Sequence, residues 1–140
     1  GELLRLKKKT LSIAESCTGG YLSHLITSVP GCSDYYKGGV ISYSNEIKER
    51  ILKINPGDLN EYGAVSEQVV GQMAKQVRKL MKTDFGLATS GIAGPEGGTE
   101  EKPVGSIWIA VSSGKGLKTK LLHLGNHRLN NIRISSLNAM

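Results

Sequence analysis

A chain of 140 residues, 39% apolar and 21% charged, can bury one core and is short for two. Its formal charge of +6 is not organised for nucleic acid: the one dense run, Arg5-Leu6-Lys7-Lys8-Lys9, stands at the start, and no aromatic residue interleaves it as a base-stacking surface requires. Two cysteines and three histidines lack zinc-ligand spacing, and no apolar run approaches the length of a membrane span. Residues 1–10 are therefore expected to be a solvated basic segment of a single domain over 1–140. With no secretory signal visible, the expected location is cytoplasmic. Positive charge also attracts phosphorylated small molecules, so it does not choose between functions.

Leu11 to Glu15 reads as a short strand entering the sharp sequence Ser16-Cys-Thr-Gly-Gly20. A helix follows through Tyr21, Leu22, Leu25 and Ile26, and Val29-Pro30-Gly31 stops it. Tyr35 to Ser44 holds a second strand, with Gly38-Gly39 marking a bend or a close backbone approach. Ser44 or Asn45 can cap a helix whose apolar stripe is Ile47, Ile51 and Leu52. Asn55-Pro-Gly-Asp58 reads as a turn, and Ser66 caps the longest helix. Its inward face is predicted to be Val69, Val70, Met73, Ala74, Val77, Leu80 and Met81. Phe85 to Thr89 is a third strand, followed by the loop Ser90 to Gly98. Val104 to Ser113 and Leu117 to Leu124 form a hairpin about Gly114-Lys115-Gly116, and a last helix starts near Arg128. Alternating strands and helices predict an α/β fold of three layers, its mixed sheet mostly parallel with one antiparallel pair.

In open α/β sheets, ligands bind beyond the carboxyl ends of the strands. Three segments of interest fall there: Ser16 to Gly20, Tyr43 to Lys48, and Ser90 to Gly98. Ser16 and Thr18 precede a helix whose unpaired N–H groups, near Thr18, Gly19 and Gly20, can hold a phosphate or a developing oxyanion. Either hydroxyl can equally be a plain helix cap. Lys48 lies in the first turn of its helix, where the helix dipole and burial both favour the neutral amine that a serine-activating base must be. Tyr43 can relay a proton or orient a substrate. The plain alternatives are a solvated lysine and a core tyrosine. Ser90, Gly91 and the glycines that follow can curl around an anion, or can simply connect two elements. Arg128 can clamp a phosphate or lie exposed. Cys17 is a rival nucleophile or a small buried residue. No GxSxG elbow, Walker A pattern or histidine triad offers another explanation.

The stretches AESCTGG at 14–20, GGVISYSNEIK at 38–48, TSGIAGPEGG at 89–98, PVGSIWIAV at 103–111 and Arg128-Leu-Asn-Asn-Ile132 together resemble the CinA C-terminal family. The resemblance implies an α/β/α domain that deamidates nicotinamide mononucleotide to nicotinic acid mononucleotide and ammonia, in pyridine nucleotide salvage. It implies Ser16 as nucleophile, with Tyr43 and Lys48 beside it and Lys48 as base. Thr18, Gly19, Gly20, Ser90 and Gly91 would border the substrate, and Arg128 would approach its phosphate. The commonest family form spaces two arginines four apart, whereas here Arg133 follows Arg128 by five. No metal or other cofactor is expected. The expected partner is a nucleotide substrate, with no membrane, nucleic acid disfavoured and homo-oligomerisation left open. The molybdopterin-binding-like domain that many members carry is expected to be absent from this chain. Two rival readings differ in class: a non-catalytic nucleotide-binding module, and a nucleic-acid partner linked to competence.

Overall fold

The computed structural model describes all 140 residues, with strands β1 (Leu11–Glu15), β2 (Tyr36–Ile41), β3 (Phe85–Gly91), β4 (Ser106–Ser113) and β5 (Gly116–His123). They form one sheet in the order β2-β1-β3-β4-β5. β1 pairs in parallel with β2 and β3, while β3–β4 and β4–β5 are antiparallel. Four strands thus point the same way and β4 alone is reversed. The expected single antiparallel pair becomes two, because the hairpin docks on β3 through its reversed strand.

Six helices surround the sheet: α1 (Glu2–Leu6), α2 (Tyr21–Thr27), α3 (Asn45–Arg50), α4 (Pro56–Tyr62), α5 (Glu67–Leu80) and α6 (Arg128–Ala139). Alternate residues of the strands face opposite layers. Leu11, Ile13 and Leu87 pack with Leu22 and Ile26 of α2, and Ala139 of α6 borders this cluster. On the other face Ala14, Ala88 and Ala110 meet Val69, Val70, Met73, Ala74 and Val77 of α5, joined by Leu52, Ile54 and Leu59. Ala14 is in register with Ala88, and Ala88 with Ala110. A row of methyl groups crosses three strands, so α5 lies close on the sheet without large side chains beneath it. This is the three-layer α/β arrangement expected.

From β1 the chain moves through α2 to β2 on one side, then returns past β1 through α3, α4 and α5 to β3 on the other. Crossovers of a common hand in opposite directions put their helices on opposite faces, and they open a crevice where the direction reverses. That crevice lies beyond the carboxyl ends of β1, β2 and β3, where all three segments singled out in the sequence emerge.

Several local expectations change. Asn55 to Asp58 is the start of α4: the Asn55 side chain accepts from the N–H of Gly57 and of Asp58, with Pro56 in the first turn. β2 is shorter than the 35–44 span, and β4 begins at Ser106. Ile51 and Leu80 are exposed rather than inward. The inward positions belong to Lys48 of α3 and to Leu52 just past its end, four apart. The basic start forms α1 and is tied down by ion pairs from Arg5 to Asp34 and from Lys9 to Asp84.

The close seat of α5 has a testable consequence at Gly86. A methyl group there would run into the Ala74 carbonyl oxygen and come within 2.7 Å of Arg78 Cβ. Gly86→Ala is expected to cost about 3 kcal/mol by overpacking, read as a fall of about 10 °C in the thermal midpoint.

Candidate active site

Ser16 is the first residue beyond β1, and its backbone is held from both neighbouring strands. Its N–H donates to the Thr89 carbonyl (3.0 Å), while Ser42 N–H donates to the Glu15 carbonyl just before it (2.8 Å). Lys48 approaches from α3, whose start is set by Ser44 accepting from Ile47 N–H. The Lys48 Nζ lies 3.0 Å from Ser16 Oγ and donates to the carbonyls of Ser42 (2.6 Å) and Tyr43 (3.3 Å).

The electrostatics of this pair are unusual for a lysine. Lys48 is 1% exposed. The three ion pairs of the protein involve other residues, so no carboxylate compensates it. Burial disfavours the ammonium and pushes its pKa down to about 8, with Cys17 opposing the shift slightly. Two of its donor directions are spent on carbonyls. Once deprotonated, the lone pair is left for the Ser16 hydroxyl.

The Cys17 thiol is different in kind. It packs with Ala93 and Ile107. Burial pushes its pKa up to about 12, against its own backbone N–H. A thiol held protonated is a poor nucleophile, which leaves Cys17 as packing beneath the turn.

The remaining sequence candidates take varied places. Thr18 is buried, donating to Glu15 Oε2 (2.5 Å) and sharing a 2.8 Å contact with Thr89 Oγ1. Gly19 and Gly20 both have positive φ, +59° and +100°, as the tight turn into α2 demands. The N–H of Gly20 is not free, because it donates to Glu15 Oε2 (3.0 Å). Leu22 and Ser23 N–H groups also go to Glu15. The expectation that the N–H groups of Gly19 and Gly20 are unpaired and open to a phosphate or an oxyanion is therefore corrected: Gly19 donates to the Ser16 carbonyl and Gly20 to Glu15. The turn's uncommitted donors are the N–H groups of Cys17 and Thr18, which donate to no other residue; that of Cys17 faces only its own thiol.

Ser90 is buried at the end of β3, and its hydroxyl donates to the Ala64 carbonyl (2.7 Å). Gly91 closes β3 opposite Ile107. Tyr43 is neither a core residue nor in contact with the serine. Its side chain is 61% exposed, its carbonyl meets Lys48, and its hydroxyl accepts from Arg128 Nη2 (3.2 Å). Arg128 also donates to the Gly94 carbonyl (2.7 Å), so this pair bridges the end of β2 to the Gly-rich loop. Arg133 is exposed further along α6.

Two residues were passed over in the sequence. Glu15 gathers the turn through five hydrogen bonds. An acidic residue immediately before a helix-opening turn was the available signal. Asn131 is buried and donates to the Ala93 and Gly125 carbonyls, tying α6 to the loop. A buried asparagine on a polar helix leaves no periodic trace, so only the family stretch 128–132 contained it, with no role attached. No group of three or more His, Cys, Asp or Glu is placed to hold a metal ion, and no helix is long and apolar enough to cross a membrane.

Fold and site together define an α/β/α domain that carries a buried serine–lysine pair at the switch point of its sheet. The profile described as "CinA C-terminal domain" matches residues 1–140, and the chain belongs to that family. It is 53% identical over 137 residues to a CinA-like protein of Cytophaga hutchinsonii, covering 98% of this chain and 33% of that protein. It is 50% identical over 139 residues to a CinA-like protein of Microcystis aeruginosa, covering 99% and 33%. The chain thus spans about a third of the length of these curated relatives. Among solved structures, the competence/damage inducible protein CihA from Agrobacterium tumefaciens superposes with a TM-score of 0.96 at 31% identity, covering 99% of this chain and 85% of that one. A CinA superfamily protein from Escherichia coli gives 0.95 at 28% identity, covering 99% and 80%.

Two measurements probe this environment. Thiol alkylation of the folded protein at pH 8 is expected to modify the half-exposed Cys32 and spare Cys17; modification of both at similar rates would contradict the protonated thiol. The second concerns stability. Because the folded-state pKa of Lys48 lies below its ordinary value of 10.5, the folded protein carries the full burial penalty below pH 8. Between pH 8 and 10.5 the unfolded chain binds the extra proton, so stability rises with pH. Relative to Lys48→Met, the parent should gain about 2 kcal/mol between pH 7 and pH 10, measured by denaturant unfolding.

Proposed function

We propose that this domain is an amidohydrolase that converts nicotinamide mononucleotide to nicotinic acid mononucleotide and ammonia, with Ser16 as nucleophile and Lys48 as general base. The observation that carries the reading is the buried, carboxylate-free Lys48 at 3.0 Å from Ser16 Oγ. A lysine in that place lowers stability near neutral pH. Its pKa of about 8 leaves an appreciable fraction as the free amine that can accept a serine proton.

The reaction runs in two halves. Neutral Lys48 takes the Ser16 proton as Oγ attacks the carboxamide carbon. The oxyanion forms beside the uncommitted N–H groups of Cys17 and Thr18, which are suited to stabilise it. The C–N bond then breaks, and the departing nitrogen receives the proton from Lys48 and leaves as ammonia. In the second half Lys48 takes a proton from water as the water oxygen attacks the acyl carbon. Collapse breaks the bond to Oγ and returns the proton to Ser16, releasing the acid. In this reading Arg128, whose guanidinium is held by the Gly94 carbonyl and the Tyr43 hydroxyl, meets the substrate phosphate.

A non-catalytic nucleotide-binding module would gain nothing from an uncompensated lysine at a serine. Ammonia release from nicotinamide mononucleotide separates the two readings. Ser16→Ala and Lys48→Met should each lose activity by about a thousandfold or more, with Ser16→Ala still folding. For the parent, kcat should rise with pH through a midpoint near 8 as Lys48 loses its proton. Full activity in Ser16→Ala, or a flat profile from pH 6 to 9, would refute the mechanism.

A further inference from the structure

We propose that Glu15 is the positioning residue of the serine turn: its carboxylate fills the N-terminus of α2 and so fixes Ser16 and the two N–H groups next to it. This rests on the reading of Ser16 as nucleophile. The side chain is 1% exposed, and each of its partners is a donor. Oε2 accepts from Thr18 Oγ1 (2.5 Å), Gly20 N–H (3.0 Å) and Leu22 N–H (3.1 Å). Oε1 accepts from Ser23 N–H (2.8 Å) and Ser23 Oγ (2.6 Å). Tyr36, on the neighbouring strand, donates to Ser23 Oγ (2.7 Å) and extends the network to β2.

The selection of donors matters. A helix start offers several N–H groups to whatever anion arrives, and in many sites that anion is a ligand phosphate. Here Gly20, Leu22 and Ser23 are spent on a group from the strand that carries the serine. Only Cys17 and Thr18 are left over, and both lie between the two anchors of the turn: the carboxylate on one side and the Ser16 N–H bond to Thr89 on the other. Thr18 is held twice, by Glu15 and by Thr89. Glu15 makes no contact with Ser16 Oγ or Lys48 Nζ, so it acts through the backbone and does not touch the reacting atoms. A displacement of the turn by an ångström would separate the hydroxyl from its base and misaim the donors. Such a shift typically costs about a hundredfold in rate.

The test uses two readouts on the folded protein: kcat and KM for nicotinamide mononucleotide, and the rate at which a fluorophosphonate labels Ser16. The parent should be labelled and Ser16→Ala should not. Glu15→Gln puts an amide donor against N–H and O–H donors. It should lower both kcat and the labelling rate by about a hundredfold, with KM nearly unchanged and the pH midpoint still set by Lys48. Thr18→Val and Ser23→Ala each remove one donor while keeping the carboxylate, and should each give a smaller fall, about three- to tenfold, in the same two quantities. These milder variants decide the matter where Glu15→Gln does not fold. A parent labelled at Ser16 with labelling unchanged in folded Glu15→Gln, or unchanged in both milder variants, overturns the positioning role. A parent not labelled at Ser16 overturns the serine reading, and the role of Glu15 with it.

Discussion

The ammonium of Lys48 is buried without a carboxylate, and much of the site is arranged around that fact. Its only protein partners are a serine hydroxyl and two carbonyls from the chain leaving β2. A buried cation so poorly compensated titrates near neutral pH, and that property is useful chemically only if a proton donor faces it. The Ser16 hydroxyl faces it at 3.0 Å. The pair exists because β1 and β2 are parallel neighbours whose carboxyl ends lie side by side, and because Leu52, four residues after Lys48, anchors α3 in the core.

The sheet supplies the rigidity this pairing needs. A floor of alanines across β1, β3 and β4 lets α5 sit close, and Leu52, Ile54 and Leu59 join the same core cluster. On the opposite face α2 and α6 cover the other half of the strands. The serine turn therefore stands at the top of a strand packed on both sides, held laterally by hydrogen bonds to its two neighbours. Beside this rigid part, Tyr43 and Arg128 form an exposed rim joined by one hydrogen bond. The serine–lysine pair thus sits on the buried part and the Tyr43–Arg128 pair on the rim.

Two groups of opposite sign are buried beside Ser16, Glu15 next to it in the chain and Lys48 32 residues on, and they are treated differently. Glu15 is satisfied by five donors of its own turn. Lys48 is left with carbonyl dipoles and a hydroxyl. The first arrangement makes a geometry stiff, and the second keeps a proton labile. Had Glu15 faced Lys48 instead, an ion pair would have held the amine charged.

The α/β alternation, the strands at residues 11–15 and 85–89, the long helix capped by Ser66 and the hairpin were legible in the sequence, because periodicity and turn chemistry are local properties. So was the convergence of three segments at one edge, which follows from strand direction. Other features were not local. The second antiparallel pair depends on which strand the hairpin docks against, and α4 hid behind a capping sequence that reads equally well as a turn. The inward side of α3 was misplaced, since hydropathy assigns Ile51 to the core and Lys48 to water. Only the tertiary structure, by offering Lys48 two carbonyls at the end of β2 and a hydroxyl at the end of β1, makes its burial tolerable. Likewise the residue types of the Ser16 turn announced a helix start open to anions, and the neighbouring Glu15 took the N–H groups of Gly20, Leu22 and Ser23. Sequence by itself determined which groups stand at the edge of the sheet. Folding decided which of them meet, because hydrogen-bond partners and solvent exclusion are set by elements distant in the chain.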